Sequence, residues 1–287
     1  MCIPLIGFLP MSTIQDTNFT RSALRRVVFA LLLAVLFAYV PSKVFAKDSV
    51  EEIQRSWDNG LVFWRESNNV SSGIISEELG NATQQAGSPN VIVYMHGCNG
   101  VGNAAKATGA FLASQGYLVV MPDSFARENK PESCDTTFHR GGKHRGVLEW
   151  RQNEANNAIR QVRQLARVNQ NNVFLMGLSE GAITTATVSG EPVSARIIEG
   201  WTCHAGWHEY GGLNALASEP VLNLLGEEDP WFTAAPLRGH CGEYMQKDNG
   251  SLSVLFRPPH VLTDYHFLSW HASAQEVLLE FLARNSR

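Results

Sequence analysis

The chain has 287 residues, 44% of them hydrophobic and 17% charged, and a formal net charge of −4. That composition excludes a chain disordered over most of its length, and the acidic balance offers nucleic acid no electrostatic footprint. The length suits one large domain.

Residues 1–46 read differently from the rest. Arg21, Arg25 and Arg26 precede an apolar run from Val27 to Val40, and Pro41, Lys43 and Val44-Phe45-Ala46 follow. A basic stretch, a short apolar segment and a small-x-Ala site form a secretory signal pattern, with Met11 as an alternative start. The apolar run is shorter than the roughly 20 residues that span a membrane, so a retained N-terminal anchor is the alternative. The expected organisation is a signal peptide at 1–46 and one exported domain, periplasmic or secreted, at 47–287. The leader holds four of the Lys and Arg and one of the Asp and Glu, so the remainder carries 19 positive and 26 negative charges, net −7. Four cysteines lie beyond the leader, Cys98, Cys134, Cys203 and Cys241, an even number in keeping with an oxidising destination. They allow three pairings, and none shows the C-x-x-C spacing of a zinc site.

The segment from Ser67 to Asn90 is rich in Ser, Asn, Gly and Gln, with Ile74-Ile75 as a possible short strand. Strand and helix signals then alternate. Val91 to Met95 is a continuous apolar run, as in a strand buried on both faces. Asn103 to Gln115 is Ala-rich and helical, and Tyr117 to Met121 is a second buried strand. Glu149 to Val168 carries Ala155, Ile159, Val162 and Ala166 at helical spacing. Strands follow at Val173–Met176, Arg196–Trp201, Val221–Leu225 and Leu252–Phe256, and a helix over Ala274–Leu282 closes the chain. This order predicts an α/β fold: a mostly parallel sheet with helices on both faces, and ligands at the carboxyl ends of the strands.

The most informative segment is Val173-Phe-Leu-Met-Gly177-Leu-Ser179-Glu-Gly181. An apolar run enters Gly-x-Ser-x-Gly, and Ala182 to Ala186 can continue as a helix, which is the strand–turn–helix setting of a nucleophile elbow. A serine hydroxyl needs a base to remove its proton, and the base needs an acid to orient it. In chain order an acid follows a later strand and a histidine the last one. Asp229, Glu227 and Glu228 compete for the first role, and Asp229 is preferred because Pro230 follows it and it lies far enough past the strand to turn inward. His266 and His260 compete for the second, and His266 is preferred for its apolar setting directly before the last helix. An oxyanion hole would use the backbone N–H of Glu180 and of Cys98, with Asn99 as the alternative, in the loop His96-Gly97-Cys98-Asn99-Gly100.

With these residues together, the chain resembles the α/β-hydrolase superfamily, closest to its dienelactone-hydrolase-like branch, over roughly Val91 to Arg284. The matching marks are His96-Gly97-Cys98-Asn99-Gly100, Pro122-Asp123-Ser124-Phe125-Ala126-Arg127, the Ser179 elbow, Asp229 and His266-Phe267. Dienelactone hydrolases proper use a cysteine nucleophile, and Ser179 stands in its place here. The resemblance therefore implies a general serine esterase acting on a small-molecule ester through Ser179, His266 and Asp229. A peptidase or acyltransferase on the same fold, or a binding protein that kept it, is the alternative. The resemblance also implies disulfides Cys98–Cys134 and Cys203–Cys241, because the strands preceding each pair would be sheet neighbours. It implies no cofactor and no metal.

Trp201, Trp207 and Trp231 follow strands at the expected active-site end, with an acyl or aromatic pocket and core packing as the two readings; Trp201 and Trp231 are candidate substrate-binding residues, as is Arg127 in a basic segment with Lys130, Arg140, Lys143 and Arg145. His204 and His208 are four apart with Glu209 beside them, but Gly206 interrupts and the order is not His-Glu-x-x-His, so they are not read as a zinc site. Asn69, Asn81 and Asn249 open Asn-x-Ser/Thr sequences. Oligomeric state is not legible.

Overall fold

The structure, a computed structural model, describes residues 48–286, so the expected signal peptide lies outside the described residues. Eight strands form one sheet: β1 (Leu61–Glu66), β2 (Asn69–Ile74), β3 (Val91–Met95), β4 (Leu118–Met121), β5 (Val173–Leu178), β6 (Arg196–Glu199), β7 (Val221–Gly226) and β8 (Leu252–Phe256). Their spatial order is β2-β1-β4-β3-β5-β6-β7-β8. β1 runs antiparallel to β2 and to β4, and every pair from β4 to β8 is parallel.

Six α-helices accompany the sheet among the described residues: α1 (Val50–Asp58), α2 (Ile75–Ala86), α3 (Asn103–Ser114), α4 (Val147–Arg163), α5 (Glu180–Thr187) and α6 (Ala272–Arg284). Successive side chains of a strand point to opposite faces, and both faces are covered. Ile92 and Tyr94 of β3 enter a core with Leu112 of α3 and Leu278 and Phe281 of α6. Val91, Val93 and Met95 enter another with Trp57 of α1, Ala82 of α2 and Ala155 and Ile159 of α4. That is why β3 reads as an unbroken apolar run. Burial of each such side chain contributes about 1.5–3 kcal/mol before entropy is counted.

The polar segment 67–90 is more ordered than its composition predicts. It contains β2, paired along its whole length with β1, and α2. β2 is an edge strand with mostly solvent-facing residues, and α2 buries only Ile75, Ala82 and Thr83. A strand or helix that contributes so little to the core has little apolar periodicity to read. The strand expected over Arg196–Trp201 stops at Glu199, because Gly200 turns away with φ +66°.

Cys98 is bonded to Cys134 and Cys203 to Cys241, at sequence separations of 36 and 38. Both disulfides tie loops at the carboxyl ends of strands, and Cys203–Cys241 is buried in a third apolar cluster with Ile183, Trp201 and Tyr210. Loops of this length predict roughly 2–4 kcal/mol of stabilisation per disulfide. The variant Cys203→Ser/Cys241→Ser is expected to lose that much unfolding free energy in urea titration under non-reducing conditions, while dithiothreitol changes the wild type but leaves the corresponding all-serine variant unmoved.

Candidate active site

The turn between β5 and α5 carries Ser179 at φ 58°, ψ −117°, a conformation a non-glycine residue rarely adopts. The neighbours that permit it are glycines. A Cβ on Gly181 would stand 1.9 Å from the Met95 carbonyl oxygen and 2.7 Å from that of His96. A Cβ on Gly177 would stand 2.1 Å from the Gly181 oxygen. The end of β3 and the start of α5 therefore cross with no room for a side chain. Ser179 N–H donates to the Glu199 carbonyl at 2.9 Å, which holds the turn to β6.

After β7, Asp229 caps the short turn Pro230–Phe232: its Oδ1 accepts from Trp231 N–H at 3.0 Å, and Pro230 fills the first helical position. This cap aims Oδ2 at His266, whose Nδ1 lies 2.6 Å away. The Asp229 side chain is fully buried. With Nδ1–H donated to the carboxylate, Nε2 is left as the acceptor nitrogen. That atom is buried and has no hydrogen-bond partner among the described residues. Trp231 stacks on the imidazole with centroids 5.1 Å apart and planes at 24°. Of the competing acids, Glu227 pairs with Arg257 in solvent and Glu228 is exposed. His260 accepts from Leu262 N–H and contacts Ser273, so it closes its own loop.

Sequence reasoning missed Glu199, at the end of β6. It is completely buried, and its carboxylate accepts from Leu268 N–H at 2.6 Å, Ser269 N–H at 2.7 Å and Ser269 Oγ at 3.0 Å. Burial pushes this carboxyl up, and the donors from 269 and 268 pull it back. Next to it, Gly200 supports the His266 ring: a Cβ there would lie 2.6 Å from His266 O and 3.3 Å from its Cε1. Ser179 and His266 are thus both held by the dipeptide Glu199-Gly200. The only sequence signal for Glu199 is a carboxylate closing an apolar run before Gly200-Trp201.

Gly97 lies against Ser179, its open side 3.6 Å from the serine Cβ. Neither Cys98 N–H nor Glu180 N–H finds a hydrogen-bond acceptor among the described residues. Behind this loop, His96 is buried, with Nδ1 bonded to the Gly97 carbonyl at 2.6 Å and Nε2 accepting from Ser124 N–H at 3.1 Å. Burial and the adjacent Arg151 guanidinium hold its pKa well below the usual histidine value, so the ring is a neutral brace. Arg151 also donates to His96 O at 2.5 Å and lies 3.9 Å from Glu180 Oε1, while Ser133 Oγ donates to Glu180 Oε2. Burial raises the Glu180 carboxyl, and Arg151 opposes it.

Arg127 requires a correction. It does not face substrate space: its guanidinium is buried between Asp48 and Glu154, each at 2.6 Å. Its partners lie 79 and 27 residues away, so the local basic composition is misleading. Ser179, His266, Cys98, Glu180, Trp201 and Trp231 line one cleft of about 550 Å³, and Asp229 reaches it only through its bond to His266. His204 sits beside Glu243 and Tyr244 and His208 is solvent-exposed, so the spacing of four does not bring them together on a helix.

An eight-stranded, mostly parallel sheet with an acute strand–serine–helix turn, and an acid and histidine after its later strands, is the α/β-hydrolase fold. The family model of the dienelactone hydrolase family matches residues 79–255, well over half of the chain, and the protein belongs to that family. Similar solved structures include an esterase from the Planctomycetes species Thermogutta terrifontis, 17% identical, covering 78% of this chain and 88% of its own with a TM-score of 0.47. A dienelactone hydrolase-like promiscuous phosphotriesterase from metagenomic libraries is 15% identical, covering 78% and 96%, TM-score 0.46. An esterase from the archaeon Pyrobaculum calidifontis is 18% identical, covering 69% and 77%, TM-score 0.44. No curated protein matches the chain.

Two outcomes test this geometry. Gly181→Ala forces β3 away from α5 and is expected to destabilise the fold by about 3 kcal/mol, the upper range for overpacking, in chemical denaturation. Glu199→Ala strands two buried N–H donors and is expected to cost about 2–5 kcal/mol. Hydrogen exchange at the Leu268 and Ser269 amides should then accelerate at least tenfold beyond the global change, whereas Glu199→Gln, which keeps one acceptor oxygen, should leave it near wild type.

Proposed function

We propose that this protein is an exported serine hydrolase that cleaves a carboxylic ester. Ser179 is the nucleophile, His266 the base and Asp229 the residue that fixes the imidazole. His266 Nε2 takes the proton of Ser179 Oγ as the oxygen bonds to the ester carbonyl carbon. The N–H groups of Cys98 and Glu180 stabilise the oxyanion. His266 then gives its proton to the departing alcohol oxygen as the C–O bond breaks, leaving an acyl-enzyme. Water attacks that intermediate with His266 again taking a proton, the bond between the acyl carbon and Ser179 Oγ breaks, and His266 returns the proton to Ser179 Oγ as the carboxylic acid leaves. The route calls for no metal or cofactor.

The observation that carries the reading is the pairing of Asp229 with His266 Nδ1 at 2.6 Å, with the opposite ring nitrogen buried, unpartnered among the described residues and part of the cleft that Ser179 lines. The left-handed backbone of Ser179 at the head of a helix supports it, as does family membership. Export is inferred from the basic-apolar leader and the two disulfides. Among the described residues no helix is long and apolar enough to cross a membrane.

The test is a panel of p-nitrophenyl esters of graded acyl length on wild type and Ser179→Ala, with fluorophosphonate labelling. Ser179→Ala is expected to lose at least 10⁴-fold in kcat and all label, and Asp229→Asn about 10⁴-fold in kcat with label slowed. Turnover retained in Ser179→Ala, or an adduct on another residue, rejects the assignment. Matched amides separate an esterase from a peptidase.

A further inference from the structure

The cleft is walled by rings. Six of its lining side chains are Phe138, Trp201, Trp207, Tyr210, Trp231 and Phe232, against two large aliphatics, Ile183 and Leu237. The rings come from three separate segments, and each segment is pinned. Phe138 sits on the strap after Cys134, which is bonded to Cys98, and the strap closes on itself through Asp135 N–H to Arg140 O at 2.7 Å and Arg140 N–H to Asp135 O at 3.0 Å. Trp207 and Tyr210 follow Cys203, itself bonded to Cys241, and their rings meet edge to face at 5.6 Å. Arg145 lies 5.2 Å over the Trp207 ring, and a Cβ on Gly142 would collide with the same ring at 2.4 Å, so strap and indole are in close contact. Trp231 is held by the Asp229 cap and stacks on His266. Trp201 and Tyr210 are nearly buried and Trp231 lies between the rings of His266 and His139, whereas Trp207 is 40% exposed and Phe138 66% exposed, so these two present open aromatic surface at the mouth.

Rigid aromatic side chains around an open cleft, with Trp207 and Phe138 uncovered at its mouth, select for a flat partner, because ring–ring contact has a geometric preference that a saturated group of the same size cannot satisfy. We propose that the ester cleaved here carries an aromatic ring, seated between the Trp207–Tyr210 wall and the Trp231–Phe232 wall. This rests on the ester-hydrolase reading above and adds the substrate class. The bond broken is the same ester C–O bond, with the same proton path.

The experiment compares substrates matched for size, ethyl phenylacetate with ethyl cyclohexylacetate and benzyl acetate with cyclohexylmethyl acetate, each kcat/KM being divided by that ester's own rate constant for alkaline hydrolysis so that the inductive effect of the phenyl ring cancels. Each ring contact is worth about twofold to tenfold. The aromatic member of at least one pair is expected to have a normalised kcat/KM at least fivefold higher. Trp207→Leu should reduce that ratio to half or less, and Trp207→Phe should keep it above half. Ratios below fivefold in both pairs, or a ratio that Trp207→Leu leaves above half of wild type, overturn the proposal. If Trp207→Leu does not fold, the wild-type ratios decide alone. Turnover that needs Ser179 but shows flat ratios rejects the aromatic inference and leaves the esterase reading standing. Turnover that survives Ser179→Ala rejects the esterase reading, and the cleft is then judged on binding: calorimetry must give phenylacetate at least fivefold tighter than cyclohexylacetate.

Discussion

At the centre of the molecule the end of β3 crosses the start of α5 so closely that Gly181 cannot bear a Cβ, and Gly177 cannot because the backbone of Gly181 itself closes over it. Everything at the sheet's carboxyl edge follows from that contact. It lets the chain reverse within one residue after β5, and so places Ser179 at φ 58° at the head of a helix rather than in a loose loop. It also brings the His96–Gly100 loop beside the serine, because the same carbonyls that exclude a side chain at 181 belong to Met95 and His96. Backbone strain at Ser179 is sustained because β5 is hydrogen-bonded on both sides, by β3 and β6, and buried along its length.

Around this crossing the polar groups that hold the loops are buried and shared. Glu199 anchors the chain that carries His266, and Glu199 O receives the Ser179 N–H, so one residue reports to both. Arg196, three residues earlier, is buried in an ion pair with Glu219 at 2.8 Å and donates to the carbonyls of Thr185 and Val188 at the carboxyl end of α5. On the other side Arg151, Glu154, Arg127 and Asp48 form a buried chain of alternating charge behind His96. Such pairs are poor sources of net stability, since desolvation offsets much of the attraction. What they supply is direction: a carboxylate with three donors fixes a loop in a way that apolar contacts, which slide, do not.

The legible and illegible parts of the chain divide along this line. The elbow is readable because glycines, serine and the apolar run are contiguous in sequence, and Asp229 and His266 are readable because each follows a strand of recognisable composition. β3, β4, β5 and β7 are apolar on both faces and declare themselves. The β1–β2 hairpin, α1 and α2 do not, since α1 buries only Ser56 and Trp57 and β2 lies at the edge. Arg127 and Glu199 fail for a different reason. A charged residue looks solvated until its partner is known, and theirs lie 27 to 79 residues away in sequence, with Leu268 and Ser269 69 and 70 residues from Glu199.

An open cleft imposes a conflict on the loops that build it. They must leave the sheet where the hydrophobic core ends, yet hold ring faces and N–H donors at fixed positions. Apolar packing cannot do this alone, because the surface that would be packed is the surface left for a ligand. Here the two disulfides act on the two loops with most to lose. Cys98–Cys134 joins the loop beside Ser179 to the strap that carries Phe138, and Cys203–Cys241 joins the segment of Trp201, Trp207 and Tyr210 to the turn after the Asp229 loop. The ordering cost of the walls is therefore met during folding rather than at each encounter with substrate, which is the condition under which exposed aromatic side chains can discriminate by shape.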